Sequence, residues 1–320
     1  MFTKNYKNLN YALITPVKNE EINLINLSDV IIKQSILPII WVIINDYSED
    51  NTGNIIKQLM KKYSWIECIN IKKSKVRNLD EKFAKICNLG FRYAISKCIE
   101  KKIEIKYLIK VDADMIFENT CIEKMLTEFE NDKKLGIASP TVIDISQKSL
   151  IDKIKNDLRE GKKIDPSIKQ ASFRFHFEPS DGLRLYKKQT YEEIGGIPIT
   201  KSPDTVVAVK SKFKNWESRQ IDDVIAISIR ETGSTVKNTF RLQGSKKYYL
   251  NYNPIIIIFY FFLLTSKSRI KDAFSFLSGF LIEFFRHGEK IKDQEVKKYF
   301  CNERLIEIIK YILRRTVLNT

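Results

Sequence analysis

A short apolar run ends in two aspartates in the stretch Tyr107-Leu-Ile-Lys-Val-Asp-Ala-Asp-Met115. Its mostly apolar first half predicts a buried β-strand. Because side chains two positions apart in a strand point to the same side, we expect the carboxylates of Asp112 and Asp114 to converge just past the strand. Two unpaired carboxylates repel each other, and Mg²⁺ or Mn²⁺ shared with substrate phosphates relieves that repulsion. The simpler alternative is that the two carboxylates cap the helix that follows.

Short apolar runs alternate with helical patterns on both sides of this stretch. Strands are predicted over residues 12–17, 39–44, 66–71, 107–111 and 136–142, and helices over 20–34, 51–63, 81–100 and 119–130. Strands that alternate with helices of this length are typical of βαβ units and a parallel sheet. The predicted fold class is therefore α/β, with a mixed, mostly parallel sheet flanked by helices.

The alternation fades after about residue 145. A charged helix is predicted over residues 151–163, antiparallel strands over 171–177 and 182–187, and a short helix stopped by glycines over 191–198. We divide the chain into one catalytic domain over residues 1–252 and a C-terminal helical region over 253–320.

The 320 residues carry 55 Lys and Arg against 39 Asp and Glu, a net charge of +16. This excess predicts an anionic partner: a phosphate-bearing substrate, an acidic lipid surface or nucleic acid. Five scattered cysteines and two histidines argue against a disulfide framework, a structural zinc site and a histidine-based metal centre. The N-terminus lacks the apolar core of a signal peptide, so a cytoplasmic setting is expected.

The C-terminal region contains two apolar stretches, at residues 254–264 and 273–285. Each is shorter than the ~20 residues that a helix needs to span a bilayer. The last segment places apolar side chains on one helical face, namely Leu305, Ile308, Ile309, Ile312 and Leu313. These patterns predict helices that lie on an anionic membrane surface, at its cytoplasmic face. The alternative is that they pack onto the catalytic domain or a partner protein.

Four segments together resemble the family-2 glycosyltransferases, which have the GT-A fold. They are Thr15-Pro-Val-Lys-Asn-Glu-Glu21, Ile43-Ile-Asn-Asp-Tyr-Ser-Glu-Asp-Asn-Thr52, Val111-Asp-Ala-Asp-Met115, and Gly195-Gly196 followed by Pro203-Asp204. The resemblance covers roughly residues 11–250, and the order and spacing of the segments are more specific than any one of them.

The resemblance implies transfer of a sugar, with inversion, from a UDP- or GDP-linked donor to a hydroxyl acceptor that is lipid-linked or part of a surface glycan. Nucleic acid is not expected as a partner. Asp114, with Asp112, would bind Mn²⁺ or Mg²⁺ at the diphosphate, and Asp204 would take the acceptor's proton as a general base. The implied donor-binding residues are Pro16, Asn19, Glu20, Asp46 and Asp112. Simpler alternatives remain: Asn19 and Glu20 start a helix, and Asp204 is a surface residue.

Three positions depart from the family's pattern. Tyr47 stands where glycine is usual, Pro203 where an acidic residue often precedes the catalytic aspartate, and Ser228 where relatives often have a histidine. The missing histidine puts a third protein ligand to the metal in doubt. Other candidates for phosphate contacts are Arg184, Lys187, Lys188 and the basic stretch 230–247.

Three other interpretations of the sequence stay open, and one of them is a degenerate, inactive transferase, because Pro203 and Ser228 depart from the family's pattern. A nucleotidyltransferase also places paired aspartates beside a nucleotide, but it normally has a glycine-rich loop after the first strand, and residues 16–21 contain no glycine. A non-catalytic protein that binds nucleic acid or a membrane surface would explain the positive charge, but it would leave the aspartates unexplained.

Overall fold

The computed structural model describes residues 9–72, 78–145, 148–160, 162–165, 180–229, 239–266 and 268–310. Several sequence predictions lie outside the described residues: the strand at 171–177, the first part of the basic stretch at 230–238, and Ile312 and Leu313 of the amphipathic segment.

The described residues form a sheet of eight strands. These are β1 (Tyr11–Val17), β2 (Ile40–Asp46), β3 (Ile66–Ile71), β4 (Tyr107–Val111), β5 (Met115–Phe117), β6 (Leu135–Asp144), β7 (Leu183–Lys187) and β8 (Glu217–Ser228). Their order across the sheet is β3-β2-β1-β4-β7-β6-β8-β5. Strands β7 and β5 run antiparallel to their neighbours, and the other pairs are parallel. The predicted mixed, mostly parallel sheet is confirmed.

Helices cover both faces of this sheet, as predicted. They are α1 (Glu21–Ile32), α2 (Thr52–Lys62), α3 (Leu79–Glu100), α4 (Cys121–Asn131), α5 (Lys148–Arg159), α6 (Lys188–Glu193) and α7 (Pro203–Phe213). Apolar residues of α1, α2 and α4 pack in one cluster with one face of the sheet. Those of α3, α6 and α7 pack in a second cluster with the other face.

The central strands are buried because they are apolar on both faces, which is the usual pattern of a covered parallel sheet. Every residue of β2 is buried, and the indole of Trp41 donates a hydrogen bond to Thr15 Oγ1 on β1 at 2.9 Å. Helix α3 approaches the sheet closely at Gly90, where an added Cβ would lie 2.7 Å from Ile44 Cδ1. This tight core fixes the strand ends that carry the polar residues.

Three elements of this unit were not predicted from the sequence. Strand β5 has only three residues and follows a turn, so it shows no periodicity. The first half of β8 is exposed and charged, which hides the apolar second half. Helix α7 begins at Pro203, a position that favours proline because the first helical N–H has no partner within the helix.

The chain divides into two compact units, residues 1–199 with 203–232, and residues 200–202 with 233–320. The division falls ahead of the boundary that we expected at 252/253. The second unit contains α8 (Thr239–Tyr249), α9 (Pro254–Ser266), α10 (Ile270–Phe285), α11 (Gln294–Lys298) and a π-helical turn (Tyr299–Glu303). Among the described residues, no helix combines the length and apolar character needed to cross a bilayer.

Two glycines let α8 and α10 pack backbone against backbone. A Cβ at Gly244 would collide with the carbonyl oxygen of Phe276, and one at Gly279 with that of Arg241. This contact buries one side of α10, where Ala273, Phe276 and Phe280 also point inward. The opposite side of α10 does not take part in this contact with α8.

Candidate active site

The loops that follow β1 and β2 are bonded to each other at the carboxyl edge of the sheet. The Asn19 N–H donates to Ser48 Oγ at 3.0 Å, and the Asn19 side-chain oxygen accepts from the Glu49 N–H at 2.8 Å. Asn19 adopts a left-handed backbone conformation, with φ of 54°, which asparagine tolerates better than most residues. Asn19 therefore shapes the loop that follows β1, whereas Pro16 lies within the strand, in register with Ile44 of β2.

Glu20 lies directly before α1, as the simpler interpretation of this segment predicted. Its N–H donates to Thr52 Oγ1 at 2.9 Å, and its carboxylate accepts a hydrogen bond from Asn23 at 2.7 Å. These bonds fix the start of the helix, and they leave the role of Glu20 in a donor pocket as a prediction.

Asp46 ends β2 with one carboxylate oxygen paired and the other unpaired. Its Oδ2 lies 2.5 Å from Lys82 Nζ, whereas its buried Oδ1 makes no hydrogen bond within the part of the chain that the structure describes. A buried oxygen without a donor is costly. The next residue, Tyr47, has φ of 55°, so it takes the left-handed conformation that glycine favours at this position of the family pattern.

The two aspartates that follow β4 lie on a turn rather than on an extended strand. The Asp112 N–H donates to Gly182 O at 2.8 Å, and the Met115 N–H donates to Asp112 O at 3.3 Å as the chain enters β5. Burial raises the pKa of Asp112 to about 7, and the nearby Asp181 and Asp114 add to the rise. Asp114 therefore lies close enough to Asp112 for its negative charge to raise the pKa of that carboxyl.

The two carboxylates of this turn are oxygen groups that could hold a divalent cation shared with phosphates. Magnesium commonly takes one or two carboxylates and completes its shell with substrate oxygens and water. Ser228, at the position where the family often has a histidine, pairs with Met115 directly beside the turn, and a serine offers no imidazole ligand there. Within the described residues, no group of three Asp, Glu, His or Cys is arranged to hold a metal.

Three charged residues lie beside this turn: Lys110 and Asp181, which the sequence analysis did not identify, and Arg184, which it proposed for phosphate contacts and which is instead paired with carboxylates. Lys110 and Arg184 face each other across β4 and β7, and their side chains are only 1% and 2% exposed. Asp181 lies between them, 2.9 Å from Lys110 Nζ and 3.7 Å from an Arg184 nitrogen. These two cations lower the pKa of Asp181 to about 2, although burial alone would raise it.

A signal for this cluster was present in the sequence. Lys110 interrupts an apolar run whose other residues are buried, and a lysine is almost never fully buried without a partner. The partner, Asp181, stands next to Gly182 in a segment with no motif of its own. Only the antiparallel pairing of β7 with β4 brings it to the site.

Asp204 lies in the first turn of α7 and joins the same cluster. Its Oδ1 is 3.6 Å from an Arg184 nitrogen, and it shares a hydrogen bond with Asp181. Partial removal from water and the negative charge of Asp181 raise the pKa of Asp204 to about 7. Its side chain is nevertheless 46% exposed, so a substrate can reach it.

Lys187 and Lys188 do not reach the site. Lys187 pairs with Tyr107 at the amino end of β4, which is the opposite edge of the sheet from Asp112. Lys188 forms an ion pair with Glu192 at 2.8 Å. The prediction that these lysines contact donor or acceptor phosphates is therefore wrong, because β7 runs antiparallel to β4 and places its start, not its end, at the site.

Comparison with known protein families gives a match over residues 12–195 to the model described as Glycosyl transferase family 2. The chain belongs to this family. With its mixed sheet and flanking helices, this glycosyltransferase has a GT-A-like fold, as the resemblance implied. Comparison with curated proteins found no match.

Solved structures of glycosyltransferases resemble this one at low sequence identity. The mannosyltransferase PcManGT from Pyrobaculum calidifontis, solved with GDP-Man and Mn²⁺, is 15% identical with a TM-score of 0.49; the match covers 74% of this chain and 61% of that one. TarS from S. aureus is 14% identical with a TM-score of 0.47, over 74% of this chain and 39% of that one. The glycosyltransferase described here thus spans less than two thirds of the length of either structure.

Proposed function

We propose that this glycosyltransferase moves a sugar from a nucleoside-diphosphate donor to a hydroxyl group of an acceptor, with inversion at the anomeric carbon. The observation that carries the proposal is the chain of contacts that joins Asp112, at the end of β4, to Asp204, on α7. It brings a carboxylate suited to the donor side and a carboxylate suited to the acceptor side to one edge of the sheet.

Donor binding is assigned to the loops after β1 and β2. The unpaired Oδ1 of Asp46 is an acceptor that a base N–H or a ribose hydroxyl of a UDP- or GDP-linked sugar would satisfy. Asn19 bonds this loop to the loop after β2, Pro16 lies in β1 just before it, and Glu20 lies at the start of the helix beside it. Recognition of the nucleotide therefore requires little rearrangement of the backbone.

Asp204 is assigned as the general base. In a single displacement, the acceptor's hydroxyl oxygen forms a bond to the anomeric carbon as the bond from that carbon to the donor's phosphate oxygen breaks. The hydroxyl proton passes to Asp204, and the nucleoside diphosphate leaves with the electron pair. A pKa near 7 suits this task, since the base must be ionised yet hold the proton it receives.

Asp112 and Asp114 are assigned to hold Mn²⁺ or Mg²⁺ with the donor's diphosphate. The chemistry that such an ion supplies is neutralisation of the charge that builds on the departing phosphate. Two carboxylates on one turn, with raised proton affinity at Asp112, support this assignment because a cation would relieve the repulsion between them.

The acceptor is proposed to be lipid-linked or a surface glycan at the cytoplasmic face of a membrane. In the second unit, α9 exposes Ile255, Ile258 and Phe262, which recur at helical spacing on one side. Helix α10 exposes Phe274 and Phe285, and Phe274 touches α9 through the ring of Phe261 at 5.3 Å. The two exposed faces are therefore neighbours.

An anionic lipid surface is the occupant that suits this apolar face. Residues 233–320 contain 16 Lys and Arg against 7 Asp and Glu, and the exposed Lys271 and Arg286 flank the apolar side chains of α10. A helix with apolar residues in the acyl layer and cations at the headgroups is typical of interfacial binding. Such binding would keep the enzyme beside a lipid-linked acceptor.

Ligand-dependent thermal unfolding tests the proposed donor class. Melting temperatures would be measured with UDP, GDP, ADP and CMP, with and without Mn²⁺, and then with the matching nucleotide sugars. A ligand at 100 times its Kd stabilises the folded state by about 2.7 kcal/mol. We expect one diphosphate to raise the melting temperature and Mn²⁺ to increase that rise. The absence of stabilisation by any nucleoside diphosphate at millimolar concentration would contradict the proposal.

A further inference from the structure

The most unusual feature of the site is a pair of buried cations that face each other across two strands. Lys110 on β4 and Arg184 on β7 are in direct register and almost fully buried. Two like charges in such a place repel each other, and each loses its hydration, which is costly unless carboxylates compensate. Their arrangement therefore depends on the acids around them.

Lys110 uses its ammonium group to join two separate parts of the site. Its Nζ donates to Asp112 Oδ1 at 2.8 Å, to Asp181 Oδ2 at 2.9 Å and to the Asp181 carbonyl oxygen at 2.6 Å. The remaining side of the ammonium lies over the ring of Phe83, 4.6 Å from its centroid. All three donors are used, so the group has one position.

Arg184 continues the chain to the acceptor side. One terminal nitrogen lies 3.7 Å from Asp181 Oδ1 and 3.6 Å from Asp204 Oδ1, while its Nε donates to the Ser180 carbonyl oxygen at 3.2 Å. The ionic chain thus runs from Asp112 through Lys110, Asp181 and Arg184 to Asp204.

Resting on the proposed function, we propose that Lys110 is a positioning residue that ties the donor-side Asp112 to the acceptor-side Asp181 and Asp204. Because it already holds one oxygen of Asp112, it also weakens binding of a divalent cation to the turn in the absence of donor. The cation is then bound firmly only when the donor's diphosphate supplies further oxygens. Lys110 thereby links cation binding to the presence of substrate.

The test compares Lys110→Met, which has similar length but no charge, with the wild-type protein and with Lys188→Met, which removes an ion pair to Glu192 at the opposite edge of the sheet. Electron paramagnetic resonance of free Mn²⁺ would give the affinity for Mn²⁺ in the absence of nucleotide. Separately, kcat and KM would be measured with the nucleotide sugar. Loss of a positive charge beside Asp112 should tighten Mn²⁺ binding about tenfold. Loss of the link should lower kcat about 10²-fold, because misplaced reacting groups slow the reaction steeply.

The opposite signs of these two effects distinguish positioning from mere damage to the fold. A variant that binds Mn²⁺ more weakly, or equally well, overturns the inference, as does an unchanged kcat. Lys188→Met should match the wild type in both measurements. Should the wild type turn over no nucleotide sugar, the proposed function fails, and the Mn²⁺ measurement alone still decides the role of Lys110.

A second variant covers the case in which Lys110→Met does not fold. Asp181→Asn keeps both cations but removes the charge that Lys110 shares between two acids. Lys110 should then bind Asp112 more strongly, so Mn²⁺ binding should weaken about threefold while kcat again falls. Tighter Mn²⁺ binding by Asp181→Asn would contradict the inference.

Discussion

In the sheet unit, charged side chains lie inside the protein, whereas in the helical unit large apolar side chains lie outside it. Lys110 and Arg184 are buried among carboxylates at the end of β4, while Phe262 and Phe285 of the helical unit are 63% and 73% exposed. Both arrangements cost free energy in an isolated protein in water. The difference is what the proposed function requires, because a charged small molecule would bind to the first unit and a lipid surface to the second.

Exposed apolar residues of the sheet unit do not form such a surface. Ile22, Leu79 and Ile99 are well exposed, but they lie on α1 and at opposite ends of α3. Scattered residues of this kind are ordinary on soluble proteins. In the helical unit, by contrast, exposed apolar residues recur at helical spacing along α9, and the exposed Phe274 of α10 contacts the ring of Phe261 on α9.

Asp114→Asn should produce the largest loss of activity, because it removes a proposed ligand of the divalent cation. We expect Mn²⁺-dependent sugar transfer to fall at least about 10³-fold, since charge on the leaving diphosphate is no longer neutralised. Initial rates with saturating Mn²⁺ measure the effect, with the exposed Asp152→Asn on α5 as the control. If the Asp114→Asn enzyme stayed active, Asp114 would not be a metal ligand. The proposed contrast between a sheet unit that binds a charged small molecule and a helical unit that binds lipid would then lose its first part.

Asp204→Asn should slow transfer while leaving donor binding intact. Loss of general-base assistance costs about 10²–10⁴-fold in kcat, but Asp204 lies on the acceptor side, so the Kd for nucleoside diphosphate should stay within about twofold of wild type. Isothermal titration and single-turnover kinetics separate the two quantities. A normal rate would place the base elsewhere, and a lost donor affinity would make Asp204 part of the donor pocket.

Phe262→Glu combined with Phe285→Glu tests the apolar surface. Charges placed in the acyl layer should lower binding to vesicles that contain anionic lipid by about tenfold, whereas Ile99→Glu in the sheet unit should not change it. Vesicle sedimentation at several salt concentrations provides the measurement. If the wild-type protein does not bind anionic vesicles at all, the helical unit covers its apolar face with another protein surface.

The smallest expected effect is the pH dependence of kcat/KM. Asp204, which faces Asp181, Arg184 and, further off, Lys110, must be ionised to accept a proton. With a pKa of about 7, the rate should rise about threefold between about pH 6.5 and about pH 7.5 and then level off. Asp181→Asn should move the midpoint to lower pH, because a neighbouring negative charge is removed. A flat profile over this range would show that Asp204 does not titrate there.

The alternating pattern of the first half of the chain was sufficient to predict the sheet and most of its helices. Strands β1, β2 and β4 are mostly apolar runs, and their positions in the sequence imply their neighbours through right-handed crossovers. The ends of β1, β2 and β4 could therefore be identified, and Asp46, Asp112 and Asp114 lie there.

The remainder of the site depends on contacts between distant segments. Asp181 and Arg184 reach the site only because β7 inserts antiparallel between β4 and β6, and no local pattern specifies that pairing. Asp204 was proposed from the resemblance to a family, but the residues that lie around it could not be predicted in that way. The sequence analysis expected Asp112 and Asp114 to converge just past the strand by strand alternation, whereas in the structure they lie on a turn before β5.

The register of β7 sets a design rule for engineering the segment that enters this strand. A slip of one residue would present Leu183 or Leu185 to Lys110 and rotate the guanidinium of Arg184 to the opposite face, since side chains alternate along a strand. Loop grafts that enter this strand must therefore preserve its frame at Gly182, whose carbonyl accepts the Asp112 N–H. Grafts that keep this frame should leave Arg184 in register with Lys110.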